Sequence, residues 1–137
     1  LMAMLNYGTQ IDILKGNLLG YKGAIFENLM ADFLCKSGQK LYYFHKESGL
    51  ELDFLVRFKG ECVVLEVKAK AGKAKSMTTV LKNRDVYHVN NAIKLGQYNV
   101  GREGSILTIP LYMGFLVQDK LTDAIIPDVD LGLLINI

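Results

Sequence analysis

The sequence predicts an α/β fold in which α-helices flank a central mixed β-sheet. The first indication is an apolar pattern of helical period, followed by segments in which apolar and polar residues alternate. The second is a further helical pattern followed by two strand-like segments. With 137 residues, of which 50% are hydrophobic, the chain can bury one core, so we expect residues 1–137 to form a single domain.

The first predicted elements are a helix and a strand. Apolar side chains recur at helical spacing over residues 23–36, and Ser37-Gly38 supplies a helix stop. Residues 40–46 are rich in aromatic side chains, which favour strands, and Ser48-Gly49 supplies turn residues after them. The chain therefore enters its sheet directly after the first helix.

Residues 51–58 and 61–68 are predicted to form a β-hairpin. Apolar residues alternate with other side chains in both segments, and Lys59-Gly60 supplies a two-residue turn. The apolar face of the resulting register contains three cross-strand pairs: Leu52 with Val67, Phe54 with Leu65, and Val56 with Val63.

The other face of this hairpin brings charged side chains together. The same register sets Asp53 opposite Glu66 and Glu51 opposite Lys68, with the Cβ atoms of each pair about 5 Å apart. Adjacent carboxylates repel, and a shared proton, a neighbouring cation or a bound metal ion relieves the repulsion. Asp53 and Glu66 are therefore candidate ligands for Mg²⁺ or Mn²⁺, which prefer oxygen donors. Lys68 would hold an attacking water and neutralise a phosphate, which is the chemistry of metal-assisted phosphodiester hydrolysis.

A solvated strand face is the competing interpretation of these charges. Exposed strands commonly carry ion pairs, here Glu51–Lys68 and Asp53–Arg57. Glu27 favours the metal site, because it lies at the edge of the apolar stripe of the predicted helix, from which a carboxylate can reach over the sheet. That position is also ordinary for a boundary residue of an amphipathic helix.

The second half of the chain predicts a helix, two strands and a short helix. The helix spans residues 73–83, and weaker strand patterns span 91–95 and 105–109. Pro110 fits the first turn of a short helix over 111–116, although the same residues could continue as a strand.

Basic residues beyond the hairpin indicate where a phosphate backbone would bind. The net charge of +2 is too small to indicate nucleic-acid binding by itself. Four lysines lie within residues 68–75, of which Lys70 and Lys73 are candidates for phosphate contacts with little sequence discrimination. Lys70 would share the face of Lys68 if the strand extended that far. A solvated loop and helix start is the alternative interpretation of these four lysines. Glu51 is a further candidate for substrate contact.

Four segments together resemble a known family: GAIFEN at 23–28, ELDF at 51–54, LEVK at 65–68 and IPLY at 109–112. They resemble the C-terminal domain of unknown function of prokaryotic AAA+ ATPases, which is related to the PD-(D/E)XK nucleases, over residues 20–117. The resemblance implies a restriction-endonuclease-like core with Asp53 and Glu66 as metal ligands and Lys68 as the catalytic lysine. It also implies that Glu27 completes or orients the metal site. The proline of the superfamily name is absent, because Leu52 precedes Asp53.

The resemblance implies a metal-dependent nuclease domain that hydrolyses DNA. Because the chain starts at Leu1 within an apolar segment, we expect a C-terminal fragment of a longer polypeptide whose ATPase region lies upstream. The alternative is a catalytically silent domain that binds DNA or a protein partner. A third hypothesis treats the apolar tail, residues 124–137, as an oligomerisation module; the sequence does not specify an oligomeric state.

The cysteines indicate a cellular compartment. Cys35 and Cys62 lack metal-ligand spacing and are typical of a reducing cytosol, so we expect a cytoplasmic protein. No apolar run approaches the roughly 20 residues that span a bilayer, so we expect no membrane partner.

Overall fold

The computed structural model describes residues 22–117 except positions 59 and 71, together with Ile11 and Lys15. Its elements in chain order are helix α1 (Lys22–Lys36), strands β1 (Tyr42–His45), β2 (Glu51–Phe58) and β3 (Glu61–Lys68), helices α2 (Lys75–Lys82) and α3 (Arg84–Tyr87), strands β4 (Asn91–Gly96), β5 (Gly101–Glu103) and β6 (Ile106–Pro110), and a 3₁₀ helix (Leu111–Leu116). None of the helices in this part of the chain has the length and apolar character needed to cross a membrane.

The described strands form one mixed sheet in the order β1-β2-β3-β4-β6-β5. Strands β1, β2 and β3 are antiparallel neighbours, while β3, β4 and β6 run parallel and β5 runs antiparallel to β6. The parallel part follows from the crossover between β3 and β4, which α2 and α3 form. This sheet with its flanking helices confirms the predicted α/β fold.

Each face of the sheet carries its own apolar cluster. On one face, Met30 and Leu34 of α1 are fully buried against β2, β3, β4 and β6. On the other, Met77, Val80 and Leu81 of α2 pack against side chains of β2, β3 and β4. Full burial of each such side chain stabilises the fold by about 1.5–3 kcal/mol. The central strands are therefore covered on both faces, which holds the ends of β3 and β4 in fixed positions.

The hairpin register agrees with the prediction from its turn to its middle. Strands β2 and β3 pair from Phe58 opposite Glu61 to Phe54 opposite Leu65. Gly60 has a φ of +87°, a conformation that glycine adopts without steric cost. Lys59, the other predicted turn residue, lies outside the described residues.

Leu52 is the exception to the predicted alternation. It is buried in the α2-side cluster, whereas Val67, its predicted partner, is buried in the α1-side cluster. The β1–β2 pairing shifts between Tyr42–Leu55 and Phe44–Leu52, so β2 contains one residue more than β1 over this stretch. An extra residue of this kind exchanges the faces of a strand beyond it. The prediction that Leu52 pairs with Val67 on the α1-side face was therefore wrong.

The remaining elements differ little from those predicted. The 3₁₀ helix settles the choice left open after Pro110 in favour of a helix. Strand β5 and helix α3 had no predicted counterpart. Strand β5 has only three residues, and none of the four residues of α3 is buried, so neither element has an apolar pattern in the sequence. The tail hypothesis for residues 124–137 lies outside the described residues.

Candidate metal centre

The candidate site lies where the β2–β3 ladder ends. Beyond Phe54 opposite Leu65, the backbone N–H of Val67 donates a hydrogen bond to Oδ2 of Asp53 at 2.7 Å. The carboxylate thus satisfies a backbone N–H of β3 at the irregularity of β2, beyond which the side chains of β2 point to the opposite face of the sheet. Because this bond fixes one oxygen of Asp53, the carboxylate is held close to the Glu66–Lys68 end of β3.

Glu66 is an acidic side chain in an almost fully buried position. It is only 4% exposed, and its Oε1 forms a salt bridge with Nζ of Lys68, two residues further along β3. Its Oε2 is buried and has no hydrogen-bond partner. A buried carboxylate oxygen without a partner costs several kcal/mol unless a cation or donor compensates it. This oxygen is the strongest indication in the described residues that a ligand belongs here.

The pKa values of the three carboxyl groups are raised at this site. Burial raises the pKa of Glu66, and the charges of Asp53 and Glu27 raise it further, against the hydrogen bond from Lys68. Burial likewise raises the pKa of Asp53, against the Val67 hydrogen bond and the Lys68 charge. For Glu27, burial and then the charge of Asp53 raise the pKa. The site therefore carries more negative charge than Lys68 balances.

Lys68 remains a cation in this environment. Burial opposes its charged form, but the hydrogen bond and charge of Glu66, with the charges of Asp53 and Glu27, outweigh burial and raise the pKa of Lys68. The ammonium group is therefore suited to donate hydrogen bonds and neutralise charge at neutral pH, and is unsuited to act as a base.

The two outer glutamates occupy different positions. Glu27 of α1 is half-buried and interacts electrostatically with Asp53, Lys68 and Glu66 across the helix–sheet boundary. Glu51 is exposed and accepts a hydrogen bond from the Tyr43 hydroxyl at 2.9 Å. Its negative charge also contributes to the raised pKa values of Glu27 and Asp53.

The ion pairs of a simple solvated strand face are not formed. Lys68 pairs with Glu66 rather than with Glu51, and the salt bridges of the described residues include no Asp53–Arg57 pair. The β2–β3 pairs run only from Phe58 and Glu61 to Phe54 and Leu65, so the position of Glu51 opposite Lys68 stays a prediction. The side chain of Glu51 contacts Tyr43 on the β1 side.

The donor set fits a hard divalent cation with few protein ligands. Within the described ranges, no three His, Cys, Asp or Glu side chains are grouped closely enough to hold a metal ion. Zinc sites with three or four protein ligands are therefore a poor fit. Mg²⁺ commonly takes one or two carboxylates and fills its other positions with water and substrate phosphate. Asp53 and the free oxygen of Glu66 fit that pattern as the two carboxylate ligands. Glu27 is not grouped with them as a third ligand, and its charge acts on both carboxylates.

The predicted phosphate contacts lie beyond the end of β3. Lys70 is exposed in the bend after Lys68, so the strand does not extend far enough to place both on one face. Lys73 is exposed and lines an open cavity of about 490 Å³ before α2. Neither lysine is among the charges that shift the pKa of Glu66, and their contact with phosphate stays a prediction.

Sequence reasoning missed two residues next to the site. Lys94 of β4 lies directly opposite Glu66, and its Nζ donates to the carbonyl oxygen of Gly72 at 2.6 Å. The same Nζ lies 4.4 Å from the ring centroid of Tyr98. The signal was present, because Lys94 is the one charged residue in the apolar strand Asn91–Gly96.

The comparison with known families gives one result. The family described as "Domain of unknown function (DUF4143)" matches residues 22–113. The match contains every described strand and the four candidate residues Glu27, Asp53, Glu66 and Lys68. No curated protein and no solved structure matches the chain.

Proposed function

The chain belongs to the DUF4143 family, whose description assigns no function, and we propose that its β2–β3 site is the centre of a divalent-metal-dependent nuclease of the PD-(D/E)XK type. The observation that carries the proposal is Oε2 of Glu66, which is buried and has no hydrogen-bond partner. The charges of Asp53 and Lys68 act on this carboxylate, and its other oxygen is paired with Lys68. Oxygen donors with excess negative charge and one adjacent lysine suit a hard cation and a phosphate.

The residues divide the chemistry between them. Asp53 and Glu66 would hold Mg²⁺ or Mn²⁺, which when bound supplies an acidified water and neutralises charge on the phosphate. The Val67 N–H holds Oδ2 of Asp53, so the other oxygen of this carboxylate would be the one that binds the cation. Lys68 would orient the attacking water and donate hydrogen bonds to the phosphoryl oxygens. The water oxygen would form a bond to phosphorus and lose a proton to solvent. The ester P–O bond would break, and the leaving oxygen would take up a proton from solvent, so that the products are a phosphate end and a hydroxyl end.

The resemblance to the ATPase C-terminal domain supports further parts of the proposal. DNA is the polymer that the nuclease relatives cut, and an ATPase region upstream in the same polypeptide is the expected partner. Free Cys35 and Cys62 are typical of the cytoplasm, where such an ATPase would work.

A catalytically silent domain that binds DNA or a protein for the ATPase is the second candidate. It is favoured by one observation, that three metal-ligating side chains are nowhere grouped together in the part of the chain described here. A fold of nuclease type does not by itself establish cleavage.

The test is calorimetric titration of Mg²⁺ and Mn²⁺ into the whole chain, with plasmid cleavage measured on the same samples. The variants are Asp53→Asn and Glu66→Gln. The matched controls are Asp32→Asn on the exposed face of α1 and Glu61→Gln at the other end of β3. We expect both site variants to lose metal binding and cleavage, and both controls to keep them. Metal binding without cleavage would favour the silent domain, and absence of binding in the wild type would overturn the metal centre.

A further inference from the structure

A second site lies beside the candidate metal centre, on the α2 side of the sheet. An open cavity of about 490 Å³ lies between the start of α2 and the strands β4, β5 and β6. We call it the α2 groove, and its polar lining comprises Lys73, Lys75, Thr78, Thr79, Lys94, Glu103 and Thr108. Three lysines against one glutamate give the groove a positive balance, and the threonine hydroxyls add neutral donors.

The groove is connected to the metal centre by the sheet itself. Glu66 of β3 is paired with Lys94 of β4, and Lys94 is paired with Thr108 of β6. Paired residues of neighbouring strands lie on the same face, and neighbouring strands are about 4.8 Å apart. A single row of side chains therefore leads from the carboxylate of the metal centre to the floor of the groove.

Lys94 is held so that its charge remains available. Its ammonium group uses one donor for the carbonyl oxygen of Gly72 and lies over the ring of Tyr98, although its strand neighbour is the acidic Glu66. The described residues form no salt bridge with Lys94. An ammonium group has three donors, so further donors remain for an anion. Because Lys94 does not bind Glu66, Oε2 of that residue stays free as well.

The other two lysines are free to move onto a ligand. Lys73 and Lys75 are exposed at the entrance to the groove, and no side-chain hydrogen bond or salt bridge engages either ammonium group in the described structure. Tyr98 holds the loop that precedes them, because its hydroxyl accepts a hydrogen bond from the Gly72 N–H at 3.2 Å. One lysine held by a hydrogen bond and two exposed lysines line a groove wide enough for a phosphate, and they form a site for an anion.

We propose that the α2 groove binds a backbone phosphate of a nucleic acid, adjacent to the phosphate at the Asp53–Glu66 centre, with Lys73, Lys75 and Lys94 as its cationic ligands. The inference rests on the proposed nuclease function for the identity of the polymer. It assigns to Lys94 and Lys75 a role in holding the substrate, and it places the bound strand beside the start of α2, next to the row of Glu66, Lys94 and Thr108.

The test measures binding of a short fluorescent DNA duplex to the whole chain in EDTA, as a function of salt concentration. The variants are Lys94→Gln, Lys73→Gln and the double variant Lys73→Gln/Lys75→Gln. Lys82→Gln is the matched control, because Lys82 is an exposed lysine of α2 outside the groove. The slope of log K against log salt is negative, and each lost phosphate contact reduces its magnitude by about 0.9. Because the three lysines share one phosphate, we expect the double variant to reduce the magnitude by up to about 0.9 and each single variant to reduce it by less, with no change for Lys82→Gln.

The outcomes separate this inference from the proposed function. Groove variants that match Lys82→Gln in slope and affinity would overturn the groove, as would a wild type that binds no duplex in EDTA. Binding of an oligoglutamate peptide in place of the duplex would overturn it in favour of an acidic protein partner. Groove-dependent duplex binding without metal binding or cleavage would keep the groove and refute the nuclease. Lys94→Gln also removes the contact to Gly72, so the double variant, which leaves that contact in place, carries the decision.

Discussion

The carboxylate of Asp53 accepts a hydrogen bond from the backbone N–H of Val67, 2.7 Å away on the neighbouring strand. This contact substitutes a side chain for the backbone at the point where the recorded β2–β3 pairs end. It also holds the half-buried carboxylate of Asp53 near the buried carboxylate of Glu66, whose pKa the Asp53 charge raises. The folded chain therefore keeps together two like charges that it would separate if folding alone determined their positions.

Asp53→Asn is expected to stabilise the metal-free protein at neutral pH. Burial raises the pKa of Asp53 in the folded state, so its contribution to stability is present below the unfolded pKa and is lost as the pH rises through the folded pKa. The amide oxygen of asparagine can still accept the Val67 hydrogen bond. We expect the unfolding temperature in EDTA to rise by a few degrees at pH 7, with the gain shrinking towards pH 4.

Asp32→Asn provides the control for this prediction. Asp32 lies on the exposed face of α1 and pairs with Lys36 at 2.6 Å. Loss of an exposed pair of this kind costs about 0.3–0.5 kcal/mol, so the control should be slightly less stable than the wild type. A lower unfolding temperature for Asp53→Asn at pH 7 would contradict the raised pKa.

Lys68→Met is expected to destabilise the protein, and more so at higher pH. Without Lys68, Glu66 is buried with no partner, its pKa rises further, and the stability present at low pH is lost as the pH rises through that value. Because the Lys68 side chain is 31% exposed, we expect a loss of about 2 kcal/mol at pH 7, below the roughly 3–5 kcal/mol of a fully buried pair.

The matched variant is Lys68→Met/Glu66→Gln, measured by urea unfolding in EDTA at pH 5 and pH 8. Removing both charges should recover most of the lost free energy of unfolding and flatten its pH dependence. Equal losses in the single and double variants would show that Lys68 stabilises the fold through packing rather than through Glu66.

Gly96→Ala is expected to disturb the end of β3. A Cβ at position 96 would collide with the carbonyl oxygen of Lys68 and lie 2.7 Å from Cε2 of Tyr98. The carbonyl belongs to the backbone of a central strand and cannot move alone, so we expect a loss of about 1–3 kcal/mol and weaker metal binding. Gly101→Ala is the control, since nothing lies within 4 Å of its added Cβ. Unchanged melting and metal titration for Gly96→Ala would contradict the close packing of β3, β4 and Tyr98.

Tyr98→Phe is expected to loosen the loop between β3 and α2. The variant removes the hydroxyl that accepts from the Gly72 N–H at 3.2 Å, and it keeps the ring over which Lys94 lies. We expect faster hydrogen exchange at Gly72 and a stability loss of about 1 kcal/mol. Tyr112→Phe, at a tyrosine that is 76% exposed, should leave both unchanged. Unaltered exchange at Gly72 in Tyr98→Phe would show that the loop is held by other contacts.

The hairpin was predictable because its determinants are local. Two alternating segments and a turn with Gly60 fix the strands and their pairing from Phe54 to Phe58, as the structure has them. The helix α1 was predictable for the same reason, since its apolar period lies within one segment. That register also predicted that Asp53, Glu66 and Lys68 share one face. In the structure Asp53 lies beyond the last β2–β3 pair and reaches this end of β3 through its hydrogen bond from Val67. Glu27 interacts electrostatically with these groups, as its place on the helical stripe predicted.

The facing of Leu52 was not predictable from β2 alone. The alternation of residues 51–58 is regular in sequence, and the shift arises from how β1 pairs with β2, which is a contact between separate segments. The position of Lys94 opposite Glu66 was hidden for a similar reason. Strands β3 and β4 are parallel and are connected through α2 and α3. No local turn fixes the alignment of two strands joined by such a long crossover.

The irregularity of β2 makes the site difficult to transplant. A hairpin engineered with strict alternation would contain the same Asp53, Glu66 and Lys68 residues. The first residues of its β2 strand would place Leu52 on the face covered by α1, and the Asp53–Val67 hydrogen bond would be lost. A graft onto another scaffold would therefore need three strands, with the offset between β1 and β2 included as part of the geometry of the site. By the same reasoning, a relative with a deletion in β1 or β2 could keep residues equivalent to Glu27, Asp53, Glu66 and Lys68 and still lack their arrangement.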